Sequence, residues 1–62
     1  MRLSEREYQI LDLIVLGKTN KEIADELKIT INTVKYHIKN IMAKSGITDR
    51  RDFIELSAKG QL

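Results

Sequence analysis

The sequence contains no cysteine, which removes disulfide staples, thiolate metal sites and cysteine nucleophiles together. Histidine occurs once, at His37, so a two-histidine zinc site is excluded and a zinc enzyme is disfavoured. Proline is absent as well. No apolar run approaches the roughly 20 residues that span a bilayer. The opening Met1-Arg2-Leu3-Ser4-Glu5 is charged and lacks the apolar core of a signal peptide, so a cytoplasmic location is expected. With 62 residues there is room for one domain, taken as 1–62. A chain this short buries only about 60% of its unfolded surface and has no volume to spare for a deep substrate cavity. What it does have is 42% apolar and 32% charged residues, the mixture of a compact, highly soluble domain.

The net charge of +2 decides little, but its distribution is uneven. Residues 1–26 carry a balance of −2 and residues 49–62 are neutral, whereas residues 27–48 hold Lys28, Lys35, Lys39 and Lys44 with no acid at all. An acid-free basic stretch within a mixed chain is either a solvated face or a footprint for a polyanion.

The punctuation is helical throughout, without internal repeats or sustained period-two alternation. Ser4-Glu5-Arg6-Glu7 reads as a capping box with Leu3 and Tyr8 at staple positions, and Gly17 is placed to end that helix. Thr19-Asn20-Lys21-Glu22 is a second capping box that opens a helix of about two turns. Thr30 caps a third helix with Ile29 and Val34 as its staple, stopping at Ser45-Gly46, and Thr48 or Asp49 caps a fourth. The expected fold is all-α, a four-helix bundle with helices at about 5–16, 20–27, 31–45 and 49–59.

Only Lys28-Ile29-Thr30 joins the second and third helices, too little chain for a long antiparallel hairpin. Such a link sets a steep crossing, the helix-turn-helix geometry, here over about residues 20–39. Ala24 is small where the third helix approaches, and Leu27, Ile29, Val34 and Ile38 fill the angle between the two. Lys28 occupies a turn position where many such motifs carry glycine; a left-handed backbone there costs on the order of 1 kcal/mol.

At about 100° per residue, Ile31, Val34, Ile38, Ile41 and Met42 form the core stripe of the third helix. Asn32, Lys35, Tyr36 and Lys39 face away from it. That outward face offers ammonium groups, an amide and a phenol without a carboxylate, on a rod that fits the DNA major groove. Lysines there can donate to guanine and asparagine can pair with adenine, which makes Asn32, Lys35, Tyr36 and Lys39 the candidate base contacts. Solvation alone explains a lysine, and a protein interface explains an exposed tyrosine, but the one-sided placement favours DNA. His37 either borders the core or donates to a phosphate. Thr19 and Thr30 stabilise helix starts, where free amides also meet phosphates, and Lys21 and Lys44 are candidate phosphate neighbours.

With these residues in view, the chain resembles the DNA-binding domain of LuxR-type (NarL/FixJ, GerE-like) bacterial transcriptional regulators. The likeness runs from Leu3 to about Ala58. It includes Leu3-Ser4-x-Arg6-Glu7, Gly17-Lys18-Thr19-Asn20-Lys21-Glu22-Ile23-Ala24, Thr33-Val34-Lys35-x-His37, Asn40-Ile41-Met42-x-Lys44 and Asp49-Arg50. The resemblance implies a third helix in the major groove, with base contacts from Lys35, Tyr36 and Lys39. It implies phosphate contacts from Thr33, His37, Lys44 and the start of the second helix, where Asn20 stands. It also implies dimerisation through the fourth helix, whose surplus apolar residues are Phe53, Ile54, Leu56 and Ala58. Ser45 stands where leucine is usual, which implies one core contact fewer between the third and fourth helices. Relatives usually carry a receiver or ligand-binding domain ahead of this one; Met1 does not settle whether the chain stands alone.

The expected function is sequence-specific binding of double-stranded DNA in transcription regulation, as a homodimer, with no cofactor. A sigma-factor promoter-recognition domain has a similar motif and would also bind RNA polymerase, although His37 and Asn40 fit the LuxR pattern better. A protein-interaction module that kept the fold and lost DNA binding would use the apolar surplus of the last helix. An enzyme is the weakest option, because Glu22, Asp25 and Glu26 have no nucleophile, metal cluster or phosphate loop beside them.

Overall fold

Each helix starts on a side chain that accepts from one free amide of its first turn. The Ser4 hydroxyl accepts from the Glu7 N–H at 3.2 Å while the Glu7 carboxylate accepts from the Ser4 N–H at 2.8 Å. Thr19 and Glu22 repeat this at 3.1 and 2.8 Å. Thr30 accepts from the Thr33 N–H at 3.1 Å, and the two threonine hydroxyls share a 2.8 Å hydrogen bond. Asp49, not Thr48, caps the last helix, accepting from the Arg51 N–H at 2.9 Å.

The computed structural model describes residues 2–60; the outermost residues of the domain expected from the sequence, 1 and 61–62, lie outside them. It contains α1 (Glu5–Val15), α2 (Asn20–Leu27), α3 (Ile31–Ser45) and α4 (Arg50–Ala58), with no strand among the described residues. Leu16 and Lys59, expected inside helices, are C-caps. At the end of α1, Gly17 takes φ 83° and Lys18 N–H donates to Leu13 C=O at 3.1 Å, closing the turn. Lys28 does the same work after α2 without being glycine, at φ 58° and ψ 44°. Among the described residues no helix is long and apolar enough to cross a membrane.

The core joins Ile10, Leu11 and Ile14 of α1 to Ile23 and Ala24 of α2, to Val34, Ile38 and Ile41 of α3, and to Phe53 of α4. α1 is the central strut, packed against each of the other three, and α2 packs against α3 to form the helix-turn-helix. α4 docks on α1 and shares no extensive interface with α3, so the contact that Ser45 was expected to weaken is not the one that holds α4. The Ser45 hydroxyl instead donates to Met42 C=O at 3.3 Å and accepts from Ile47 N–H at 3.2 Å, bracing the exit from α3.

Two expectations are corrected here. Ile31, assigned to the core stripe, is 42% exposed at the first position of α3, and the buried stripe begins at Val34. Phe53, assigned to a dimer face, is 0% exposed and closes the core beneath α1, leaving it no surface to offer a partner.

Candidate nucleic-acid interface

Burying Val34, Ile38 and Ile41 fixes the rotation of α3, and that rotation decides which side chains meet solvent. Asn32, Lys35, Tyr36 and Lys39 are all exposed, Tyr36 at 63%. His37 is half-buried on the adjoining flank, its ring edge-on to that of Tyr36 with centroids 5.6 Å apart and planes at 66°. The exposed face spans a helix of 15 residues, about 22 Å at 1.5 Å per residue.

α3 also differs from α1 and α2 in how it begins. The other two place a glutamate at the third helical position to complete the capping box, whereas α3 places Thr33 there. A hydroxyl pair therefore caps α3, and its positive dipole end is not met by a local carboxylate.

The candidate phosphate contacts divide by partner. Thr19, Asn20 and Lys21 stand together at the start of α2, where they line a cleft of about 560 Å³ with Lys18, Arg50 and Arg51. A second cleft of about 350 Å³ runs from Asn20 and Arg50 to Lys35 and Lys39, floored by Ile38 and Met42. Thr30 and Thr33 sit at the start of α3, spent on each other and on the cap. Lys44 is the exception, since its ammonium donates to Glu7 Oε1 at 2.6 Å. Glu7 is only 3% exposed, so Lys44 neutralises a carboxylate that would otherwise be stranded against the core. The hydrogen bond from Lys44 and the Ser4 N–H hold the Glu7 carboxyl below the ordinary carboxylate range, against the opposing effect of desolvation. Lys44 is a structural cation first, with about half its side chain left to face a ligand.

Arg50 was not among the site residues expected from the sequence. From the first position of α4 it donates through Nη1 to Asn20 Oδ1 and through Nη2 to the Lys18 C=O at 3.0 Å. A sequence signal existed. A cation at a helix N-terminus opposes the macrodipole, so its placement calls for a partner outside its own helix.

The family model for GerE, bacterial regulatory proteins of the luxR family, matches residues 1–57. The chain belongs to the LuxR family of bacterial regulatory proteins. It is 60% identical over 48 residues to the transcriptional regulatory protein LiaR of Bacillus subtilis (strain 168), covering 77% of this chain. It is 42% identical over 53 residues to the HTH-type transcriptional regulator MalT of Klebsiella pneumoniae, covering 86% of this chain. The matched segments span 23% and 6% of those relatives. The chain's α2 and α3 carry the helix-turn-helix of that family.

Proposed function

We propose that α3 lies in the major groove of double-stranded DNA and that Asn32, Lys35, Tyr36 and Lys39 touch base edges. Thr19, Asn20, Lys21, Thr30, Thr33 and His37 flank the phosphates, with Lys44 a weaker contributor because it is paired to Glu7. The observation that carries this reading is the carboxylate-free α3, exposed along Asn32, Lys35, Tyr36 and Lys39 and rigidly backed by the core. Lysine ammonium groups on it can donate to guanine O6 and N7, and the Tyr36 ring can cover a thymine methyl.

The domain acts as a homodimer. Its longest dimension is 29 Å, short of the roughly 34 Å between successive major-groove faces, so reading two half-sites takes two copies. Ile54 and Ala58, four residues apart and exposed on α4, are the apolar ridge for that contact, with half-buried Leu56 beside them. The domain is non-catalytic, works in the cytoplasm, and is governed by a regulatory domain elsewhere in a longer protein. RNA polymerase is a further partner, tested by pull-down with the domain.

Selection from random duplexes at stated salt tests the reading. The expected result is an enriched motif whose preference at one base pair relaxes in Lys35→Ala, with a loss of about 1–3 kcal/mol. Retention of the full motif by that variant would overturn the placement of α3.

A further inference from the structure

We infer that Arg50 is a positioning residue for DNA binding: from α4 it clamps the Asn20 side chain and the turn before α2, and so orients the start of α2 toward a phosphate. The inference rests on the docking proposed above.

Arg50 is half-buried and, among the described residues, forms no ion pair. Its neighbours Asp49 and Arg51 bind each other at 2.8 Å, which leaves the Arg50 guanidinium to neutral acceptors. It uses two arms of its fork on groups from one short stretch, the Asn20 amide oxygen and the Lys18 carbonyl. A guanidinium only donates, so the Asn20 amide must turn its oxygen toward Arg50 and its NH2 away. Asn20 is the first residue of α2, next to the Thr19–Glu22 capping box that already occupies part of this helix start. Fixing that amide gives the cleft lined by Lys18 and Lys21 an oriented NH2 donor for the proposed phosphate.

The two clefts meet at this contact. Asn20 and Arg50 are the residues common to the cleft at the start of α2 and to the cleft beside Lys35 and Lys39. One clamp therefore sets the phosphate-facing end of α2 relative to the base-facing side of α3. It is also anchored in α4, the helix proposed to join two copies, so that helix and the DNA-facing surface share a hydrogen-bonded link.

Lysine in place of Arg50 separates position from charge, because an ammonium keeps the charge and loses the two-armed fork. R50K, N20A and the double variant are compared for affinity to the selected duplex across salt. Each single variant is expected to bind about fivefold to tenfold more weakly, the double variant no worse than either, and the salt slope of R50K to stay unchanged. Binding of R50K at the wild-type level, or losses that multiply in the double variant, overturns the inference. Nitrogen relaxation of the Asn20 side-chain amide supplies a readout that needs no DNA and no α4 substitution. In the free wild-type domain it should be as ordered as the backbone of α2; a freely rotating amide overturns the clamp even if R50K fails to fold. If wild type shows no preference among duplexes, the docking fails instead, and the amide measurement still judges Arg50.

Discussion

Lys28 carries the chain through a conformation made for glycine, at φ 58°, with a side chain that nothing in its own turn requires. Replacing it with glycine relieves the strain, so Lys28→Gly is expected to stabilise the domain by about 1 kcal/mol in a denaturant titration. Unchanged or lower stability would show that the lysine side chain contributes there. Glu7 is the opposite case, a residue whose charge the fold requires. Its carboxyl is held below 4.5, chiefly by the hydrogen bond from Lys44, so the charged form favours the folded state. That stabilisation is complete above the ordinary carboxylate pKa and disappears as pH falls through the lowered one. Glu7→Gln should therefore melt below wild type at pH 7, with the gap narrowing steadily below about pH 4.5. A gap constant across that range would remove Glu7 ionisation from the account. Glu22 and Asp49 are lowered too, by their cap hydrogen bonds and by Arg51 respectively, so only the difference between the two proteins isolates Glu7.

At the level of elements, α4 shows how far a helical pattern can be read without its neighbours. Its apolar residues suggest a surplus for a partner, yet the helix splits them. Phe53 points wholly into the core, while Ile54, one position on, is 38% exposed. Phe53→Ala should destabilise the fold by about 3–5 kcal/mol, whereas Ile54→Asp, at a partly exposed side chain, should cost less and weaken self-association. Equal effects of the two on sedimentation at matched stability would argue against α4 as the dimer face. The starts and stops of all four helices were legible because caps act within three or four residues of sequence. The outward face of α3 was legible because a 15-residue helix samples its periodicity several times over. A nine-residue α4 does not, and docking on α1 alone selected which apolar side was buried. Ile31 kept the right angle on α3 and still fell outside the core, because angle fixes the side of a helix and not how far along it the packing reaches. For Arg50 and Lys44, local pattern could not name the partner. Their partners, Asn20 and Glu7, are 30 and 37 residues away, brought near only by the packing around α1.

For the whole molecule, the charge pattern and the size make joint demands on how DNA is bound. The mixed-charge α1 and α2 and the near-neutral last segment leave α3 and the start of α2 as the basic side, so one copy can neutralise only the few phosphates around one groove. The observed affinity should fall with salt at a log–log slope of about −0.9 per phosphate neutralised, and a palindromic site should double the slope of a half-site. A body of 29 × 20 × 19 Å also fixes the spacing over which cooperation can occur. On the proposed dimer, two copies joined by the exposed ridge of α4 would reach half-sites whose centres are one helical turn apart, about 10 base pairs. Inserting about 5 base pairs turns the second site to the far side of the duplex, where such a dimer cannot follow without breaking its α4 contact. Affinity for that spaced operator should drop to the half-site value, and Ile54→Asp should bind the close and the spaced operators alike. Equal wild-type affinity for both operators would mean that the two copies bind independently, and α4 would then have no part in reading DNA.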